Sequence, residues 1–201
     1  MVKYKVNKWL LLKGMVYCLA WFLVIGCSAG TNDGQEKPNI VLILADDMGY
    51  GDVSGLNPES VVQTPNLDQM MESGIYFTEA HASASICTPT RYALLTGRYS
   101  FRTGLNGVLT GYSKPIIEYN RETVASLLSK AGYKTAIIGK WHLGLEWQAK
   151  DTTKPVYTRD KFIPDNLNVD YSKEVKGVQE IGFEYSYISP AGNNLAPFTF
   201  I

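Results

Sequence analysis

The chain has 201 residues, of which 45% are hydrophobic, and its 19 Lys and Arg balance its 19 Asp and Glu. This length and hydrophobic content suit one globular domain with its own core. The balanced charge, with no basic run beyond the N-terminus, excludes a surface that follows a nucleic-acid backbone, so we expect no nucleic-acid partner.

The N-terminus has the pattern of an export signal. Four lysines lie within the first 13 residues, and residues 14–26 are an apolar run too short to cross a bilayer. Residues 24–27 (VIGC) resemble a bacterial lipoprotein cleavage box, in which the cysteine becomes the acylated first residue. The alternative is an ordinary cleaved signal followed by an unrelated Cys27. We predict a lipoprotein signal peptide over residues 1–26 and membrane attachment through lipid on Cys27.

Export would take the protein to the periplasm or the cell surface. Removal of residues 1–26 leaves 15 Lys and Arg against 19 Asp and Glu, and it leaves two cysteines, Cys27 and Cys87. If Cys27 carries lipid, Cys87 has no disulfide partner, and its thiol needs another explanation. The polar residues 27–38 are predicted to be a tether between the membrane and a globular body.

Strand and helix patterns alternate along the rest of the chain. Residues 39–45 (NIVLILA) are a continuous apolar run, which is typical of a parallel strand covered on both faces. The predicted strands are 39–45, 75–77 and 134–140, and the predicted helices run from Pro65 to Gly74, from just beyond Cys87 to Gly97, and over 122–130. This alternation predicts an α/β fold with a mostly parallel sheet flanked by helices.

The C-terminal third is less regular. Residues 151–176 are rich in polar residues, proline and tyrosine, and we predict a long surface excursion there. The chain ends in an apolar, strand-like run, residues 197–201 (PFTFI). We therefore expect residues 39–201 to be the N-terminal part of a longer catalytic domain.

Two carboxylates follow the first predicted strand. Ligands of open α/β sheets bind beyond the carboxyl ends of the strands, where Asp46 and Asp47 stand. Adjacent strand residues point to opposite faces, so both can reach one ion only where the chain has left the strand, as the following glycines permit. Carboxylates without neighbouring His or Cys suit Ca²⁺ or Mg²⁺ rather than zinc. A turn or helix cap made by the two aspartates is the alternative.

Lys140 and His142 end the last predicted strand. Residues two apart on a strand share a face, so both side chains can point together while Trp141 packs the other way. A cation beside an imidazole suits an anionic ester, because one neutralises charge and the other can donate a proton to the leaving oxygen. A surface lysine beside a core histidine is the simpler alternative.

Cys87 lies at the predicted mouth of a helix, where free N–H groups favour an anion. Arg91 falls one turn later, on the same side. A thiolate nucleophile fits this setting. However, the chain has two histidines, His81 and His142, and neither adjoins Cys87 as in a cysteine hydrolase.

Four blocks of sequence together resemble the type I sulfatases, the arylsulfatase family of the alkaline-phosphatase-like superfamily. In chain order they are residues 38–52 (PNIVLILADDMGYGD), 64–68 (TPNLD), 87–98 (CTPTRYALLTGR) and 139–144 (GKWHLG). The resemblance runs from about residue 37 to the last residue. It implies an alkaline-phosphatase-like fold, of which this chain holds only a part.

The resemblance also explains the isolated cysteine. In that family a maturation enzyme oxidises the cysteine of the Cys-x-Pro-x-Arg signature to formylglycine, so Cys87 would not remain a thiol. One hydroxyl of the hydrated aldehyde attacks sulfur and forms a sulfate ester, and the other then collapses to the aldehyde and expels sulfate. A serine could not take the second step.

The remaining roles are carried over onto the matching residues. The resemblance implies Ca²⁺, rather than Mg²⁺, held by Asp46 and Asp47 in contact with the modified Cys87. Arg91 would fix the formylglycine, while Lys140 and His142 would contact sulfate and assist the reaction.

The sequence also departs from the family pattern. The family takes an Asp-Asn pair, another histidine and another lysine from sequence beyond residue 201, so we expect about half a metal shell here and little activity from this chain alone. Residues 192–194 (GNN) differ from the small polar residues of the matching family loop, so its substrate contacts are not predicted.

We therefore predict a sulfuric ester hydrolase acting on sulfated glycans or aryl sulfates. One alternative is a phosphate or phosphonate ester hydrolase of the same superfamily. The other is a non-catalytic lipoprotein that binds sulfated glycans. The fold does not choose the substrate.

Overall fold

The structure, a computed structural model, describes residues 36–156, 168–192 and 195–201. It divides into two units, which follow one another in the sequence at Ala45 and Asp46. The predicted signal peptide and Cys27 lie outside the described residues. Within the described residues, no helix has the length and apolar character needed to cross a bilayer.

The described part of the first unit has no regular secondary structure. Its apolar side chains, residues 40–44, are all exposed. The predicted strand at 39–45 is therefore wrong for this structure. A strand forms only where a neighbour accepts and donates its backbone hydrogen bonds, and the sheet formed by the described residues contains two other strands.

Three helices in the second unit match the predicted ones. Helix α1 spans Pro65–Ser73, α2 spans Cys87–Thr96 and α3 spans Val124–Lys130. Helix α3 begins slightly later than predicted because Thr123 is its N-cap and accepts a hydrogen bond from the N–H of Ser126. Glycine ends α2, where Gly97 adopts a left-handed conformation.

Two parallel strands form the sheet of the described residues. Strand β1, Ala136–Lys140, pairs with β2, Tyr185–Ser189, so that Lys140 lies opposite Ser189. β1 confirms the predicted strand at 134–140, and the parallel pairing agrees with the predicted α/β class. The predicted strand at 75–77 is wrong, because that segment is exposed and forms no ladder. β2 is an additional strand.

The core of the second unit surrounds the carboxyl end of β1. Its largest fully buried side chains include two aromatic and four aliphatic residues: Trp141, Tyr92, Leu143, Leu145, Ile181 and Ile188. Trp141 meets Phe183 edge to face, with ring centroids 6.5 Å apart. This packing fixes the turn that follows β1, which is where the site lies.

The predicted surface excursion at 151–176 is described only at its two ends, because residues 157–167 are outside the described residues. The second end returns to the body of the protein. Glu146 and Lys176 form an antiparallel bridge, and Val169 is fully buried. Val169 therefore belongs to the core, whereas residues 171–174 are exposed, as expected for a surface excursion.

We expect Gly182→Ala to destabilise the protein more than Gly139→Ala. Both glycines have positive φ, +108° and +104°, which costs a residue with a side chain about 1–3 kcal/mol. At Gly182 a Cβ would also lie 2.4 Å from the backbone nitrogen of Ser126, whereas at Gly139 it would meet nothing within 4 Å. This overlap should add about 1–3 kcal/mol. Urea unfolding of the two variants measures the difference, and equal losses would contradict the close packing of Gly182 on α3.

Candidate active site

Cys87 is the first residue of α2, half-buried, with the extended Ile86 as N-cap. The first N–H groups of the helix have no partner within it and favour negative charge nearby. The side chain of Cys87 is therefore held at an electropositive position, as its place in the sequence predicted.

Lys140 joins Cys87 to Asp46. Its Nζ lies 3.1 Å from Sγ of Cys87 and 2.8 Å from Oδ2 of Asp46. Lys140 is the last residue of β1, so the strand delivers its ammonium group to the start of α2. The structure thus brings together three residues that the sequence analysis chose from three separate blocks.

Arg91 supports the same cluster from α2. One of its guanidinium nitrogens, Nη1, donates to the backbone oxygen of Lys140, and Nη2 lies 3.8 Å from Oδ1 of Asp46. Its side chain is largely buried, 13% exposed. Arg91 therefore holds the end of β1 against α2, and its guanidinium donates to the backbone of Lys140 rather than to Cys87.

The contacts of Lys140 shift two pKa values in opposite directions. The hydrogen bond from Lys140 lowers the pKa of Asp46, and the nearby Arg91 lowers it further. Burial alone would lower the pKa of Lys140, but its hydrogen bonds to Asp46 and Cys87 outweigh burial and raise it. Both groups are therefore charged near neutral pH. Two cations, Lys140 and Arg91, flank Cys87, and such a place attracts an anionic substrate.

Asp47 is exposed and has a φ of +60°, so the chain has left extended geometry at this residue. This is the departure needed for adjacent carboxylates to serve one ion. The donor set of Asp46 and Asp47 fits a hard cation such as Ca²⁺, which takes six to eight oxygen ligands. The described residues contain no group of three or more His, Cys, Asp or Glu that could hold a metal.

His142 is buried, 2% exposed, and also has a left-handed backbone, with φ +61°. Its ring Nε2 lies 2.7 Å from the backbone oxygen of Leu109. Because a carbonyl oxygen can only accept, Nε2 carries the hydrogen of the neutral ring and Nδ1 keeps its lone pair. Nδ1 is buried and has no hydrogen-bond partner among the described residues.

The placement of His142 differs from the predicted strand geometry. β1 ends at Lys140, and the N–H groups of Trp141 and His142 then donate to the backbone oxygens of Ser189 and Pro190. His142 and Trp141 are both buried, so they do not alternate between an inner and an outer face. The two-residue period fails because the chain turns directly after Lys140.

The sequence did not predict two residues of this site, Thr88 and Leu109. Thr88 is fully buried, and its hydroxyl donates to the backbone oxygen of His142. The carbonyl of Leu109 accepts a hydrogen bond from the ring of His142, and the N–H of Leu109 donates to the hydroxyl of Thr88. Thr88 occupies a variable position of Cys-x-Pro-x-Arg, and Leu109 acts through its backbone, so neither has a sequence signal.

Comparison with known proteins gives a consistent family. A protein-family model described as Sulfatase matches residues 38–185. An N-acetylgalactosamine-6-O-sulfatase of Bacteroides thetaiotaomicron is 35% identical over 184 residues, which are 89% of this chain and 32% of that protein. Human Arylsulfatase A is 49% identical over 124 residues, which are 61% of this chain and 24% of that protein. The chain thus spans about a quarter to a third of the length of these relatives.

Solved structures also resemble this chain. A structure reported with the metabolism of multiple glycosaminoglycans by Bacteroides thetaiotaomicron has a TM-score of 0.67 and 36% identity, covering 82% of this chain and 31% of that one. A crystal structure of Ps i-CgsB in complex with k-i-k-neocarrahexaose has a TM-score of 0.57 and 28% identity, covering 78% and 29%. In both cases this chain corresponds to less than a third of the other chain.

We expect His142 to titrate below the usual imidazole value of about 6.5. Burial lowers its pKa most, and the charges of Lys140 and Arg91 lower it further, against the hydrogen bond to Leu109. The unfolded chain then binds more protons than the native protein, so stability falls as the pH drops through about 6.5 towards the lowered value. NMR titration of labelled histidine, assigned with His142→Gln, measures this pKa. A midpoint at or above the usual value would contradict the buried, neutral ring.

Proposed function

Because this chain belongs to the sulfatase family, we propose that the full-length protein hydrolyses sulfate monoesters at the cluster around Cys87. The observation that carries the proposal is the pair of contacts made by Lys140 Nζ, 2.8 Å to Asp46 and 3.1 Å to Cys87. These contacts bring together the ammonium group of Lys140, the carboxylate of Asp46, which is a proposed metal ligand, and the signature residue Cys87. The family match over residues 38–185 supports the reaction class.

The nucleophile is proposed to come from Cys87. Sulfatases generally use formylglycine and a divalent cation, and the hydrated aldehyde supplies a hydroxyl that accepts the sulfuryl group. Residues 87–91 (CTPTR) give a formylglycine-generating maturation enzyme its target, and that enzyme is the predicted protein partner. Cys87 is half-buried at the start of α2 and next to Lys140, where the modified side chain would be held.

Asp46 and Asp47 are proposed to hold part of the divalent cation shell. We expect Ca²⁺ in preference to Mg²⁺, because Ca²⁺ accepts a larger and less regular set of oxygen ligands. The cation would add positive charge beside the sulfate oxygens. The remaining ligands are expected from parts of the protein that this chain does not contain.

The charged side chains have separate tasks in this proposal. The ammonium group of Lys140 would lie beside the sulfate group when that group is attacked by residue 87. This preorganised positive charge would lower the activation free energy of sulfuryl transfer. Arg91 holds the backbone of Lys140 and so keeps that ammonium in place. His142, neutral and protonated at Nε2, offers Nδ1 as an acceptor, so we assign it proton acceptance rather than the proton donation expected from sequence.

The proposed substrates are sulfated glycans, with aryl sulfates as the second class. The relatives named N-acetylgalactosamine-6-O-sulfatase and Arylsulfatase A represent these two classes. We also propose that the protein is exported and held at a membrane through lipid on Cys27, on the strength of the basic and apolar leader.

We expect Lys140→Ala in the full-length protein to lower kcat for a sulfate monoester by about 10²–10³, the usual cost of removing one preorganised charge. Lys134→Ala is the matched control. Lys134 lies just before β1, and its exposed ammonium pairs with Glu184, so its loss should leave kcat almost unchanged. Steady-state assays with sulfate and phosphate monoesters in parallel give both results.

Near-normal turnover by Lys140→Ala would remove Lys140 from the site. A wild-type protein that prefers phosphate or phosphonate esters would favour the other hydrolases of the superfamily. A matured protein that binds sulfated glycans and hydrolyses no ester would indicate a binding lipoprotein.

A further inference from the structure

Thr88 lies next to the signature cysteine, yet it bonds to other parts of the chain. Its side chain is fully buried. Its hydroxyl donates to the backbone oxygen of His142 at 2.8 Å and accepts the N–H of Leu109 at 3.2 Å. A helical threonine often bonds back to its own helix, and Thr96 does so with the backbone oxygen of Tyr92. Thr88 instead joins α2 to two segments that are distant in sequence.

The second observation concerns His142. Its N–H donates to Pro190, its carbonyl accepts from Thr88 and its Nε2 donates to Leu109. Each of these contacts fixes a different part of the residue. A non-glycine residue at φ +61° is uncommon and persists where its surroundings over-determine it.

The three residues form a closed set of hydrogen bonds. The N–H of Leu109 donates to the hydroxyl of Thr88, and Nε2 of His142 donates to the carbonyl of Leu109. The hydroxyl of Thr88 in turn donates to the carbonyl of His142. The position of the ring therefore depends on the Thr88 hydroxyl by two routes, directly through the backbone of His142 and indirectly through Leu109. The charges of Lys140 and Arg91 act on that ring, so it lies within the electrostatic reach of the cluster around Cys87.

We propose that Thr88 is a positioning residue of the sulfatase reaction, whose hydroxyl fixes the backbone and ring of His142 through this closed set of hydrogen bonds. The inference rests on the proposed function for its kinetic consequence. The structural role of Thr88 is independent of the proposed function, because the ring of His142 can be observed without substrate.

The test compares Thr88→Val, which removes the hydroxyl at nearly constant shape, with Thr88→Ser, which keeps it. Loss of a partner that orients a metal ligand typically costs about 10- to 100-fold in activity, and we take the same range for a partner that orients His142. We expect Thr88→Val to lose that much in kcat with little change in KM, because Thr88 acts through His142. Thr88→Ser should recover most of the loss.

Thr90→Val is the matched control. Thr90 occupies the other variable position of Cys-x-Pro-x-Arg, in the same turn of α2, but its hydroxyl donates to the backbone oxygen of Ala84. Both substitutions therefore fall within the recognition sequence of the maturation enzyme. Rates are expressed per mole of protein modified at Cys87, as measured by peptide mass, so that poor maturation is not read as poor catalysis.

A double-mutant cycle separates positioning from a general packing role. If Thr88 acts through His142, Thr88→Val should lower kcat almost no further in a His142→Ala background. Any loss of kcat caused by Thr90→Val should be the same in the wild-type and His142→Ala backgrounds. In parallel, the ring nitrogens of His142 should report one tautomer by ¹⁵N NMR in the wild type and a mixture in Thr88→Val.

Several outcomes would overturn the proposal. These are additive losses for Thr88→Val and His142→Ala, an unchanged tautomer in Thr88→Val, or no recovery by Thr88→Ser. If Thr88→Val does not fold, Thr88→Ala removes the same hydroxyl and enters the same cycle. A wild-type protein without sulfatase activity would contradict the proposed function, while the NMR comparison would still decide the structural role of Thr88.

Discussion

The site depends on the position of one ammonium group. Lys140 Nζ contacts Asp46, 94 residues before it, and Cys87, 53 residues before it. Pairing these groups keeps both Lys140 and Asp46 charged at neutral pH, because the pKa of Lys140 is raised and that of Asp46 is lowered. The stabilisation by a partly exposed ion pair is modest. Its main effect is geometric, since it brings three sequence blocks to the start of α2.

The block that contains Lys140 is explained by the turn after β1. The backbone of β2 continues to accept hydrogen bonds from Trp141 and His142 after the strand ends. Trp141 Nε1 donates to the carbonyl of Gly144, and a Cβ at Gly144 would lie 2.0 Å from the backbone oxygen of Lys114. Packing therefore explains Trp141 and Gly144, whereas the proposed function assigns Lys140 and His142 to chemistry.

Local signals in the sequence predicted the helices better than the sheet, and its motifs contain three side chains that the structure brings together. Caps and apolar periodicity indicated α1, α2 and α3, because those signals arise within each segment. Strand formation depends on partners elsewhere in the chain, so the apolar run at 39–45 was wrongly predicted as a strand and β2 was missed. The charged site residues were found as motifs. Thr88 and Leu109 were not, because their contribution is a set of hydrogen bonds between distant segments.

The central claim is that residue 87 acts as formylglycine next to Lys140. The most direct test is the mass of the peptide containing residue 87, measured on full-length protein produced with a formylglycine-generating enzyme, together with sulfate monoester turnover of the same samples. We predict the mass of an aldehyde in place of the thiol, and turnover that rises in proportion to the modified fraction. An unaltered thiol at residue 87 in a preparation with full turnover would contradict the account.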